Sequence, residues 1–285
     1  MTVPGPKDDE LHGVRLFARS VRRTIRWRYR RATSGLRALP DFVVIGAQRS
    51  GTTSLFDYFR DHPQVRPALK KELHFYDLHY ERGVAWYRAN FPRMRQLGGG
   101  RITGEATPNY LVYPSTPERL HGVTPNAKLI VLLRNPADRA HSAWRLRTME
   151  GAETLSFAEA LERELAQEHI DVAEIADPKK VGQHLRFLYL SKSRYAEQLE
   201  RWLKLFPREQ LLVIKSEDLF ENPDGALGEM AEFLGIDPWQ PGAFRAVNKA
   251  EPAPIDPELR MRLVEYFAPH NEKLEALIGR TFDWK

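Results

Sequence analysis

Residues 42–55, reading FVVIGAQRSGTTSL, restrict the fold of this chain more than any other stretch. Phe42, Val43, Val44 and Ile45 form an unbroken apolar run of the kind a strand buried on both faces requires. Residues 46–51 then make a tight turn, and Thr52, Thr53 and Ser54 open a helix that runs through Leu55, Tyr58 and Phe59 to about Asp61. At such a strand–loop–helix junction the backbone N–H groups converge and the helix dipole adds positive potential, which makes the loop a cradle for an anion. The ATP- and GTP-binding form of this loop reads GxxxxGK[ST], with its lysine on the β- and γ-phosphates. Here Gly46 and Gly51 keep the spacing, but Thr52 stands in the lysine position and the only basic residue of the loop is Arg49. The displaced cation argues against a nucleoside triphosphatase and for an anion held in a different place.

Downstream, apolar runs alternate with helical segments. Residues 102–104 read as a short strand, Lys128–Leu133 (KLIVLL) as a central parallel strand, and Leu211–Lys215 as a further buried one. Helices open at Asn135–Pro136 and Asn222–Pro223, where proline suits a first turn, and another covers residues 194–205. Residues 151–190 are mostly helical with a break at Asp177–Pro178, and residues 238–257 read as a proline-rich loop. This alternation predicts the α/β class: a P-loop-like, three-layer fold with a central parallel sheet covered by helices.

The 285 residues suffice for one large domain or two small ones. No run approaches the roughly 18 apolar residues of a membrane span, and the N-terminus lacks the apolar core of a signal peptide. The absence of cysteine excludes disulfides and cysteine–metal sites and fits a reducing, cytoplasmic location; the nine histidines show no metal-binding spacing. Charge is unevenly distributed. Residues 1–38 carry ten basic side chains against three acidic ones, a net of +7; the whole chain carries +5, so residues 39–285 carry −2. Residues 1–38 therefore read as a basic arm ahead of a body spanning residues 39–285. Within the arm Val14, Phe17, Ala18, Val21, Ile25, Tyr29 and Ala32 share one stripe of a 3.6-residue helix, and most arginines lie off it. Two readings stay open: a helix lying on an anionic membrane surface or acidic polymer, and a helix packed on the body with a solvated arginine face. Nucleic acid is not expected as a partner, because the body offers no basic field to continue the patch.

The motifs GAQRSGTTSL, KELHFYD (residues 71–77), GVAWY (83–87), GEATPNY (104–110) and LLRNPADRAHSAW (132–144) resemble, in the same order, the blocks of the PAPS-dependent sulfotransferases. The similarity is to the branch that contains the heparan sulfate N- and 3-O-sulfotransferases, and it continues more weakly from residue 194 into the C-terminal region. PAPS is 3′-phosphoadenosine 5′-phosphosulfate, and PAP is its desulfated product. The resemblance implies transfer of a sulfuryl group from PAPS to a hydroxyl, or an amine, of a carbohydrate-like or small-molecule acceptor, without a metal.

It also assigns roles. The loop residues Arg49, Ser50, Gly51, Thr52, Thr53 and Ser54 would bind the donor's 5′-phosphosulfate. Arg49 takes the place of a family lysine and would act by charge alone, since a guanidinium does not give up its proton at neutral pH. Arg134 and Ser142 match the arginine and serine that bind the 3′-phosphate, and Lys249 is the remaining candidate cation for the donor. Glu72 matches the glutamate that deprotonates the acceptor, a task that partial burial would assist by raising its pKa. His74 is the rival base, and Asp77 either touches the acceptor or caps a turn. Glu105 and Tyr110 keep the family pattern, whereas Ala106 stands where many relatives carry a substrate-facing lysine. Trp86 and Tyr87 are either sugar-stacking or core residues. Two other readings remain open at this level: an inactive module that binds PAPS or polyanions, and a P-loop kinase, which the missing Gly-Lys-[ST] triplet opposes.

Overall fold

The computed structural model describes residues 21–167, 177–240 and 254–284. A helix over residues 21–32 (α1) leads into the first strand, β1 (Phe42–Gly46). After β1 come α2 (Thr52–Asp61), the short α3 (Phe75–Leu78) and α4 (Gly83–Arg88), and β2 (Gly104–Ala106). There follow α5 (Thr116–Val123), β3 (Lys128–Leu133), α6 (Pro136–Met149), α7 (Phe157–Ala166), α8 (Pro178–Leu185) and α9 (Tyr195–Leu203). The chain closes with β4 (Leu211–Lys215), α10 (Ser216–Glu221), α11 (Pro223–Leu234) and α12 (Pro257–Ile278).

The four strands form a parallel sheet in the order β2–β1–β3–β4. Their continuous apolar runs are explained by burial on both sides. Val43, Ile45, Leu129, Val131, Leu133, Leu211 and Val213 face one core, with Tyr76, Tyr87, Leu199, Trp202 and Leu274 packed on it. The alternate residues Phe42, Val44, Ile130, Leu132 and Ile214 face the other, against Leu55 and Phe59 of α2 and Leu227, Met230 and Leu234 of α11. Period-two alternation between two helical layers is the expected three-layer arrangement. A satellite core joins α6 and α7 to α12 through Ala140, Phe157, Leu161, Leu263 and Phe267.

One strand is displaced from its expected position. Ile102 makes only an isolated bridge to Val65, and pairing with β1 begins at Gly104 and ends at Ala106. Asp41 accounts for the shift: its side chain takes the Thr103 N–H at 2.7 Å and its own N–H bonds the Thr103 carbonyl, so residue 103 docks on the strand's entrance and not within the ladder. α1 docks on the body through Trp27, whose ring meets Trp86 edge-on, and through Arg30, which donates to the Ala89 and Phe91 carbonyls at 2.6 Å each. The apolar stripe is largely open: Val21 and Ile25 are 40% and 62% exposed, and Tyr29, 53% exposed, meets the guanidinium of Arg93, which lies 5.4 Å from its ring centroid. Its earlier members Val14, Phe17 and Ala18 lie outside the described residues, as does most of the proline-rich segment. Among the described residues no helix is long and apolar enough to cross a membrane.

Candidate active site

Three segments lie at the carboxyl ends of β1, β2 and β3, and the first two of them touch. The first is the loop after β1. Ala47 N–H bonds the Leu132 carbonyl at 2.8 Å, and the Ser216 hydroxyl donates to the Ser50 carbonyl at 3.0 Å, so the loop is fastened to the ends of β3 and β4. Arg49 and Gly51 adopt left-handed backbone, with φ of 75° and 88°. Gly51 is the N-cap of α2 and offers no side chain to its first turn, which leaves the helix mouth to a ligand. A Cβ there would stand 2.8 Å from the Phe220 ring, so the position also demands glycine for space. Thr52 and Ser54 are buried at this mouth and Thr53 is partly exposed. The Ser50 hydroxyl is fully buried with no hydrogen-bond partner among the described residues, a polar group suited to an anion brought to the cradle.

The second segment is the start of α6. Arg49 Nε donates to Ser142 Oγ at 3.0 Å, and Arg134 Nη1 reaches the Arg49 carbonyl at 3.4 Å. Three of the residues singled out in the sequence thus touch. Burial, with Arg134, Arg147 and Arg145 nearby, lowers the pKa of Arg49 against the opposing pull of Glu150, which pairs with Arg147 at 2.6 Å. Arg145 and Arg147 escaped the sequence reading, although their spacing from Ser142 puts them on the following turn of the same helix. Tyr195, also missed, fixes Arg134 by donating to its carbonyl at 2.8 Å. Lys249 lies outside the described residues.

The third segment is residues 71–77, pinned to the end of β2. Glu72 N–H bonds the Ala106 carbonyl at 2.9 Å, Leu73 N–H the Thr107 hydroxyl at 3.1 Å, and Phe75 N–H the Tyr110 hydroxyl at 2.9 Å. Both hydroxyls then donate to Glu105, at 2.7 Å from Thr107 and 3.1 Å from Tyr110, and Tyr87 donates at 2.6 Å. Glu105 is therefore a fully buried carboxyl on which the whole segment hangs; burial pushes its pKa up to about 7 against the lowering effect of the three hydroxyls. Glu72 and His74 both take left-handed backbone, with φ of 59° and 52°, a strained geometry that turns their side chains toward each other.

The resulting cluster is Lys71–Glu72–His74–Asp77. Lys71 Nζ hydrogen-bonds Glu72 Oε1, His74 Nε2 lies 3.6 Å from Glu72 Oε2, and His74 Nδ1 meets Asp77 Oδ2 at 2.8 Å. Asp77 is buried, orients His74, and accepts the Leu78 N–H at 2.9 Å. The protonation states differ from the sequence expectation. Hydrogen bonding from His74, assisted by Lys71, overrides burial and holds Glu72 down at about 2, where burial alone was expected to raise it. Burial pulls His74 down, but Asp77 and Glu72 more than offset it and lift its pKa to about 9. At neutral pH the pair rests as carboxylate and imidazolium. Trp86 and Tyr87 are core residues: Tyr87 is fully buried and stacks on Phe75 with centroids 4.4 Å apart. Ala106 is likewise buried, inside the core beneath β2. Among the described residues no cluster of three or more His, Asp or Glu side chains could hold a metal.

Comparison with known proteins places these segments in context. The profile described as "Sulfotransferase domain" matches residues 39–249. Heparan sulfate glucosamine 3-O-sulfotransferase 6 of Mus musculus is 34% identical, over 88% of this chain and 75% of that protein. The membrane-associated sulfotransferase kil1 of Dictyostelium discoideum is 30% identical, over 88% of this chain and 67% of that protein. Among solved structures, a sulfotransferase from Alicyclobacillus acidocaldarius matches with a TM-score of 0.64 at 32% identity, covering 86% of this chain and 98% of that one.

Proposed function

The chain belongs to the sulfotransferase family and is a sulfotransferase enzyme, and from that premise we propose that it moves a sulfuryl group from PAPS to a hydroxyl of a carbohydrate-like acceptor, giving PAP and a sulfate ester. The observation that carries this reading is the 3.0 Å hydrogen bond from Arg49 to Ser142, with Arg134 on the Arg49 carbonyl. It joins the loop's cation to the two groups that the family resemblance associates with the donor's 3′-phosphate. The amides of residues 49–54 and the Ser50 hydroxyl take the 5′-phosphosulfate. Arg49 stabilises the charge that develops on the leaving phosphate, by electrostatics and without proton transfer. Glu72 accepts the acceptor's proton, and His74, fixed by Asp77, holds the Glu72 carboxylate in its ionised form until then. The saccharide acceptor is supported by the 3-O-sulfotransferase relative.

Residues 39–285 form the catalytic unit in this account, and the basic segment ahead of them places it on an anionic lipid surface. The exposed stripe of Val21, Ile25 and Tyr29, with Arg22 and Arg26 beside it, has the composition of an interfacial helix. The enzyme then works as a peripheral protein on the cytoplasmic side, with no nucleic acid partner. Release of PAP from PAPS in the presence of an oligosaccharide acceptor tests the reaction. Glu72→Gln should cut that turnover by roughly 10²–10⁴-fold. Unchanged turnover would transfer the role of base to His74.

A further inference from the structure

Lys192 was assigned no role from the sequence; it falls between the 151–190 stretch and the helix read from residue 194. It sits on a 3-10 turn, Ser191–Ser193, between α8 and α9. That turn is rigidly mounted. Glu164 of α7 accepts the N–H groups of Tyr189, Leu190 and Ser191 and the Ser191 hydroxyl, which uses its carboxylate fully. From α6, Arg139 donates to the Ser193 hydroxyl at 2.6 Å, and Ser193 in turn donates to the Pro136 carbonyl at 3.1 Å. The mounting projects Lys192 into the anion cradle, where its Nζ donates to Gln48 Oε1 at 3.2 Å, one residue before Arg49.

A lysine that is only 7% exposed normally has a carboxylate partner, because desolvating an ammonium is costly. Gln48 is neutral. The charged groups that face Lys192 are Arg139 and Arg147 of α6, which repel it, and Glu164 of α7, whose oxygens are already taken. The missing counter-charge is an anion, and the cradle that Lys192 enters is the one that receives the donor's phosphosulfate.

We propose that Lys192 is a further ligand of the anion bound by residues 46–54, and that donor or product binding draws a proton from solvent onto its Nζ. The inference rests on the sulfotransferase reading above. It is consistent with burial and the two arginines lowering the Lys192 pKa to about 7 in the free protein. An arriving phosphate reverses the balance of charges and restores the ammonium. The device also suits a loop whose own cation is Arg49, since arginine keeps its proton and cannot adjust its charge to the ligand.

The test is calorimetric titration of the full chain with PAP at pH 8, repeated in buffers of different ionisation enthalpy. The dependence of the observed heat on buffer should report uptake of close to ~1 proton per PAP by the wild type. Lys192→Met, which keeps the length and removes the charge, should lose most of that uptake and bind PAP roughly 10–100-fold more weakly. Lys192→Arg, permanently charged, should bind PAP without the linked proton. Equal proton uptake in wild type and both variants would overturn the proposal while leaving the donor site intact. No heat with PAP in any of the three proteins would overturn the donor reading itself, and this proposal with it.

Discussion

Glu105 shows how a fully buried residue can set the geometry of a proposed catalytic one. It takes hydrogen bonds from Tyr87, Thr107 and Tyr110, and two of those hydroxyls hold the backbone on either side of His74, at Leu73 and Phe75. Its pKa of about 7 stands above the ordinary value near 4.5, so the protonated form is favoured by folding. The stability this contributes is complete below about pH 4.5 and is lost as pH rises through 7, a change of roughly 3 kcal/mol. Glu105→Gln should abolish that part of the pH dependence, measured by urea unfolding at pH 5 and pH 8; the same loss of stability in both proteins would contradict it. A second expectation concerns Glu72. Because His74 is the main cause of its low pKa, His74→Ala should let Glu72 climb toward the ordinary carboxylate range. An acidic limb should then appear in kcat/KM near pH 4–5, where the wild type stays flat. These residue types and their order were legible in the sequence. Their protonation was not, since it depends on a left-handed backbone that brings Glu72 and His74 within 3.6 Å, and neither is a glycine that would announce it.

Among the secondary-structure elements, those with continuous apolar runs, or with Gly or Pro at their ends, were readable to within a residue. β1, β3, β4, α2 and α11 lie where the pattern puts them because both of their faces or one broad stripe are buried. β2 was not, because three residues carry too little pattern to outweigh the docking of Thr103 on Asp41. The turn bearing Lys192 was lost for a related reason: it is held by Glu164 and Arg139 from distant helices, and nothing local marks it. The loop after β1 gives a direct test of its backbone requirement. Gly51→Ala puts a Cβ against Phe220 at a φ of 88°, and should cost about 1–3 kcal/mol of stability and weaken PAP binding. Wild-type stability and affinity in that variant would show that the cradle is less constrained than its geometry implies. For α1, the outward stripe predicts that Ile25→Glu with Tyr29→Glu abolishes cosedimentation with phosphatidylserine vesicles while PAP binding stays unchanged. Persistent vesicle binding by that variant would favour a helix whose role is only to pack on the body through Trp27 and Arg30.

At the scale of the whole molecule, parallel strand order explains why Arg49 meets Arg134 and Ser142, 85 and 93 residues further along the chain. The ends of β1, β2 and β3 deliver the loop, the Glu72–His74 segment and the Arg134–Ser142 turn to one edge of the sheet, the usual place for a ligand in an open α/β fold. The charge asymmetry belongs to this scale too: residues 1–38 carry a net charge of +7 and residues 39–285 a net charge of −2, so the excess of basic side chains belongs to the first 38 residues. Calorimetric titration with PAP, with magnesium-ATP as the comparison ligand and Arg134→Ala as the variant, tests the central claim most directly. Micromolar binding of PAP that Arg134→Ala loses, with no response to magnesium-ATP, is the predicted result. Silence toward PAP, or preference for magnesium-ATP, would contradict it.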